Sequence, residues 1–142
     1  MFKHILLPTD GSELSGKAVK TGIVLAKALG AKVTGMHVIV ETQVASGLEK
    51  TMLPQLGELA KEAAGKLMRE FAEEARQAGV PHEALSVHGD SPWEKIIELA
   101  ARSGCDLICM ASHGRRGLAG VLLGSQTNLV LTNSRIPVLV SR

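Results

Sequence analysis

The residues whose types and spacing bear most directly on chemistry are Met110–Ala111–Ser112–His113–Gly114, followed by nine residues and then Gly124–Ser125. An apolar run empties into a segment bounded by glycines and reaches a serine where a helix is expected to start. Glycine lets a backbone approach a bulky anion, and the first amides of a helix point their unpaired N–H groups into the same space at the positive end of the helix dipole. This is one way to build a phosphate cradle. A tight strand-to-helix connection with Ser125 as its N-cap uses the same residues with no ligand, and residue types alone leave both readings open.

Other candidates lie beside it. Asp10 follows the run Ile5–Pro8 and Thr9; its carboxylate could accept from a ribose hydroxyl, hold a magnesium ion near phosphates, or cap the first helix. His113 is the best placed of the five histidines. It could touch a phosphate, act as a base, or order the loop. Arg115 and Arg116 could screen phosphate charge or face solvent. Cys105 and Cys109 sit too far apart along one extended segment to bridge, and without a second ligand cluster they are expected to be reduced core residues.

Several chemistries are excluded by pattern. There is no G-x-x-x-x-G-K-S/T loop, no G-x-G-x-x-G after the first strand and no G-x-S-x-G elbow, and Thr9–Ser12 lacks the doubled glycine of ATP pyrophosphatases. No activated nucleophile is paired with a general base. Binding is therefore better supported than catalysis.

These residues need a scaffold, and the chain alternates apolar runs with amphipathic stretches throughout. Strands are expected at His4–Pro8, Lys32–Val40, Glu83–His88, Asp106–Ala111 and Ile136–Val140. Helices are expected from Ser12 to Leu29, with Leu14, Ala18, Leu25 and Leu29 inward, and from Pro54 to Ala78, with Leu56, Leu59, Ala63, Leu67, Phe71, Ala75 and Ala78 inward. A third opens with the capping box Ser91–Pro92–Trp93–Glu94 and runs to about Arg102, and a fourth spans Gly124–Asn133. Glu41–Met52 has no clear period and reads as a mobile loop. Continuous apolar strands alternating with helices specify one doubly wound α/β domain over residues 1–142, a parallel sheet covered on both faces.

Composition agrees with a globular domain of 142 residues, 45% of them hydrophobic. A net charge of +2 with only 2% aromatic residues offers neither a basic stripe nor stacking platforms, which argues against nucleic acid. The apolar run Ile5–Leu7 stops at Pro8, too short for a signal peptide or a membrane span, so a cytoplasmic protein is expected.

In doubly wound sheets, ligands bind beyond the carboxyl ends of the strands where strand order reverses. With that reversal between the first and fourth strands, Pro8–Gly11 and Ala111–Ser125 become neighbours. Val38, ending the second strand, could then supply an apolar wall for a base or simply be core, and Gly89–Asp90 lies beside the same crevice.

The chain resembles the universal stress proteins over essentially its whole length. The match runs from Ile5–Ser12 through Val38 and Gly89–Pro92 to Arg135–Val140. The family's nucleotide-binding pattern, G-x-x-G, nine residues, G-S/T, is present as Ala111–Gly114 and Gly124–Ser125. The resemblance implies a five-stranded parallel sheet in the order 3-2-1-4-5, an adenine nucleotide in the crevice, ATP with or without magnesium, and a homodimer. Carried over, Pro8, Thr9, Asp10 and Val38 would line the adenosine. Gly114, Gly124, Ser125, Gln126 and Thr127 would hold phosphates beside Met110, Ala111 and His113, with Asp10 as the magnesium ligand. Ala111 stands where the pattern has its first glycine, and its methyl would either crowd the ribose or point into the sheet.

An apolar last strand, Ile136–Val140, at a sheet edge needs cover, from a second copy paired antiparallel or from the protein's own helices. The resemblance favours the dimer and an unknown downstream partner. The implied function is an ATP-binding, dimeric stress-response regulator or adaptor whose nucleotide state biases the glycine loop and Glu41–Met52. The alternatives are a nucleotide-free protein-binding module of the same fold and a slow ATP phosphohydrolase using His113 beside Asp10.

Overall fold

The apolar runs form strands β1 His4–Pro8, β2 Lys32–Ile39, β3 His82–His88, β4 Leu107–Ala111 and β5 Val138–Ser141. Between them lie helices α1 Glu13–Leu29, α2 Leu53–Ala78, α3 Pro92–Arg102 and α4 Ser125–Asn133. The computed structural model describes residues 1–41, 52–114 and 123–142. The expected loop Glu41–Met52 falls almost wholly outside the described residues, as do Arg115 and Arg116.

The strands form one parallel sheet in the order β3-β2-β1-β4-β5, as expected. β1 pairs with β2 on one side and β4 on the other, so strand order reverses between β1 and β4. Every residue of these two strands is buried, which is what their unbroken apolar sequences require, whereas β3 at the edge alternates in exposure. Alternation along each strand divides the core in two. Ile5, Leu7 and Val33 pack with Val19 and Ile23 of α1 and Met68 and Phe71 of α2, while Leu6, Met36 and Ile108 pack on the other face with Ile96 and Leu99 of α3 and Val130 of α4.

Two helix faces differ from the sequence expectation. In α1 only Ala18 of the four expected positions is fully buried; the buried stripe is Ser15, Ala18, Val19, Gly22, Ile23 and Ala26, and Leu29 is exposed. The helix lies so close over β1 that a Cβ on Gly22 would overlap the Leu7 side chain, which selects small residues over leucines. In α2 the buried stripe is Ala64, Met68, Phe71 and Ala75. Leu59 is exposed, Ala63 lines a cleft, and Leu67 both lines that cleft and packs against the core.

The last strand starts two residues later than expected. Ser134 Oγ donates to the Ile136 carbonyl at 2.8 Å and accepts the Ile136 amide at 3.0 Å, holding that residue in a turn before β5. Both cysteines are buried and free, and burial pushes each thiol up to about 11. They are neutral packing residues near pH 7.

At the N-terminal end of the sheet a polar cluster closes on itself. Asp106 accepts the Lys3 amide at 2.8 Å and the His4 amide at 3.0 Å, and His4 Nε2 meets Thr34 Oγ1 at 2.7 Å. No helix among the described residues is long and apolar enough to cross a membrane.

Candidate functional site

At the opposite end, the chain leaves β1 through Thr9, Asp10 and Gly11. The Thr9 amide still donates to Met36 O at 2.9 Å, which prolongs the sheet pairing by one residue. Gly11 then turns with φ of 82°, a conformation few side chains tolerate. Asp10 Oδ1 accepts the Ser12 amide at 2.9 Å, and the N-cap of α1 is Ser12, whose hydroxyl accepts from Ser15 N at 3.2 Å. Asp10 therefore shapes the turn before the helix with one carboxylate oxygen. Its other oxygen, Oδ2, lies against Gly114: a Cβ at that glycine would stand 2.5 Å from it. The loops after β1 and β4 are thus in contact across the switch point.

On the β4 side, Ser112 O accepts the Gly124 amide at 2.6 Å, and Thr127 Oγ1 donates to Ala111 O at 2.8 Å. The far glycine of the motif is stapled directly onto the end of the strand. A Cβ at Gly124 would sit 3.2 Å from Ser112 O and 3.3 Å from His113 Cα, so this approach favours glycine for its lack of bulk. Gly124 is also the N-cap of α4 and Ser125 the first helical residue, so the reading of Ser125 as an N-cap, one of the two left open, is not what the chain adopts. Asn128 N donates to Gly124 O at 3.0 Å, closing the first turn. The amides of Ser125, Gln126 and Thr127 consequently have no acceptor within the helix.

Helix α3 enters from the side. Its expected capping box is not made: Ser91 is the N-cap but forms no side-chain cap bond. The acceptor comes instead from Gln126, whose Oε1 takes the Trp93 amide at 3.0 Å.

These elements enclose a cleft of about 940 Å³. Pro8, Thr9, Asp10, Val38, Met110, Ala111, His113, Gly114, Gly124, Ser125, Gln126 and Thr127, all expected from sequence, line it together. Val38 also packs against the α3-side core, so its wall and core roles coexist. Ala111 is only 6% exposed, and strand alternation sets its methyl on the face of Leu107 and Cys109.

Sequence reasoning missed part of the lining. His37 Nδ1 donates to Thr9 O at 2.9 Å, tying the end of β2 to the loop after β1. Its neighbour Val38 was the available signal. Lys66, Leu67 and Glu70 reach the cleft from α2, and Pro92 and Ile96 from α3, where no local pattern distinguishes cleft from core. His113 Nδ1 meets Ser112 Oγ at 3.0 Å, which fixes the ring on its own strand end. No group of three or more metal-ligating side chains occurs among the described residues. A magnesium ion carried by phosphates needs only one or two protein carboxylates, and Asp10 and Asp90 both line the cleft.

The arrangement has an anion end, with three helix amides beside two glycines, and an apolar end at Val38. Comparison with known proteins places such a cleft in context. A model of the universal stress protein family matches residues 1–142. The universal stress protein MJ0531 of Methanocaldococcus jannaschii is 32% identical over 140 residues, covering 99% of this chain and 82% of that protein. Among solved structures, the hypothetical protein MJ0577 superposes with a TM-score of 0.86 at 34% identity, covering 99% of this chain and 95% of the other. A universal stress protein in complex with cAMP superposes with a TM-score of 0.74 at 27% identity, covering 99% and 97%.

Proposed function

This chain belongs to the universal stress protein family, and on that premise we propose that it binds an adenine nucleotide, ATP, at the carboxyl ends of β1 and β4. The observation that carries the reading is the pairing, inside one cleft, of an apolar wall with a helix start whose amides lack intrahelical acceptors. The base would rest on Val38, with Pro8, Thr9 and Asp10 at the ribose. Phosphates would lie over Gly114, Gly124 and the amides of Ser125, Gln126 and Thr127, with magnesium shared between their oxygens and Asp10. The solved relative bound to cAMP, at 27% identity, supports an adenine nucleotide as the ligand class.

The biological role we propose is that of a cytoplasmic, dimeric stress-response regulator or adaptor. Among the described residues β5 is the last strand of the sheet, with no strand on its outer edge, and Leu139 on it is 39% exposed. A second copy pairing along this strand would cover both. Sedimentation at micromolar concentration is expected to give a dimer, and a monomer there would remove this part of the proposal.

The direct test is to denature freshly purified protein and identify any released nucleotide by chromatography and mass spectrometry, followed by calorimetric titration with ATP and magnesium. Stoichiometric nucleotide, or saturable uptake, is expected. Protein that is empty and takes up none would make the chain a nucleotide-free binding module. Multiple-turnover phosphate release that disappears in His113→Ala would make it a hydrolase.

A further inference from the structure

Gln126 lines the cleft at the first turn of α4, yet its side-chain oxygen is engaged elsewhere, on the Trp93 amide at 3.0 Å. Because a backbone N–H can only donate, the atom facing Trp93 must be the amide oxygen, which fixes the orientation of the group. Ser91 leaves α3 without a side-chain cap, so this bond from 33 residues away takes that place. The same turn of α4 is tied to β4 by Gly124 N to Ser112 O and by Thr127 Oγ1 to Ala111 O. Those two bonds reach only the strand. The bond through Gln126 adds a tie from the helix start sideways to α3, beside the packing of Val130 on Ile96 and Leu99, and three bonds on two different elements fix the orientation of the first turn more closely than two at one strand end.

We propose that Gln126 is a positioning residue: by accepting the Trp93 amide it sets the angle of the first turn of α4, and hence where the amides of Ser125, Gln126 and Thr127 aim in the cleft. This rests on the nucleotide reading of the site. Its consequence is selective. A displaced helix start weakens the hold on phosphates and leaves the base end, built by β1 and β2, as it was.

The test uses Gln126→Met, of similar length but without a side-chain acceptor of comparable strength, and Gln126→Glu, which keeps an oxygen for Trp93. ATP and adenosine are titrated against each variant, and exchange of the Trp93 amide is followed by NMR without ligand. In Gln126→Met the Trp93 amide is expected to exchange faster and ATP affinity to fall about tenfold, the scale of one hydrogen bond, with adenosine affinity within about twofold of the unaltered protein. Gln126→Glu is expected to keep the slow Trp93 exchange. The proposal is overturned if Gln126→Met leaves Trp93 exchange or ATP affinity unchanged. It is equally overturned if adenosine weakens by the same factor as ATP, or if Trp93 exchanges as fast in Gln126→Glu as in Gln126→Met. If the unaltered protein binds neither ligand, the nucleotide reading itself fails and the positioning role falls with it, an outcome separate from a silent variant.

Discussion

The two ends of the sheet carry nearly the same polar residue types: His4, Thr34 and Asp106 at one, His113, Thr127 and Asp10 at the other. At the first end they satisfy one another. Asp106 takes the amides of Lys3 and His4, and His4 closes on Thr34 with only 6% of its surface exposed. At the second end the same chemistry surrounds a cleft of about 940 Å³. Strand polarity separates them. In a parallel sheet the helices begin beyond the carboxyl ends of the strands, so acceptor-poor amides gather at that end alone. One end then contributes stability and the other binding, and substitutions should divide accordingly.

The largest expected effect is at the binding end. In Gly124→Val the Cβ would stand 3.2 Å from Ser112 O and 3.3 Å from His113 Cα, backbone rather than a flexible side chain, and the two further methyls add to that crowding where the phosphates are proposed to lie. ATP affinity is expected to drop by about a hundredfold or more, the loss of several phosphate contacts together. Titration calorimetry reads this, with circular dichroism to show that the sheet persists; undiminished affinity would dismiss the site. Asp106→Ala makes the converse case. Removing the acceptor from two partly exposed amides is expected to cost about 1–2 kcal/mol in urea unfolding, with nucleotide affinity unchanged. A matching loss of binding would show that the two ends are coupled and the division is wrong.

Gly114→Ala sharpens the contrast within the binding end. Its Cβ would stand 2.5 Å from Asp10 Oδ2, so the carboxylate must move, while stability has little at stake in an exposed loop. The expected result is a several-fold loss, on the order of 1 kcal/mol, in ATP affinity with magnesium and a smaller one without it. Equal losses in both titrations would remove Asp10 from the metal.

Much of this architecture was legible beforehand, for identifiable reasons. The strands β1 and β4 are unbroken apolar runs because both faces are covered, and their alternation with helices placed the reversal of strand order between them; the full strand order and most members of the cleft came from the resemblance to the universal stress proteins. The faces of α1 and α2 were placed only in part: Ala18, Phe71 and Ala75 are buried as expected, but leucine spacing reports where a helix is apolar, whereas close packing over β1 selected Ser15, Gly22 and Ala26 and left Leu29 exposed. Ser91 and Ser125 both fit an N-cap by type, yet neither makes the cap bond expected of it. One helix is capped by a glutamine 33 residues from the amide it accepts, and the other begins at Gly124. Contacts made across such distances leave no local pattern in a sequence. His37 shows the same limit, since its bond to Thr9 O exists only once β2 lies beside β1.

The smallest effect belongs to pH and again to the closed end. Burial, reinforced by Lys32 and opposed by Asp106 and Glu83, holds the His4 imidazole below its ordinary value of 6.5. The unfolded chain therefore binds a proton at a pH where the folded chain does not, and stability should fall as pH drops below 6.5, levelling once the folded residue is also protonated. Asp106 acts in a lower window. Its carboxyl is pushed up by burial, but the amides of His4 and Lys3 outweigh this and bring it below 3.8, so its contribution is lost only as pH falls further. The two windows separate the residues without mutating either. His4→Gln offers an amide nitrogen near the position of Nε2 but does not titrate. Urea midpoints measured between about pH 7 and pH 5 should slope in the unaltered protein and flatten in this variant. An equal slope in both would show that His4 is not the group whose titration sets the response.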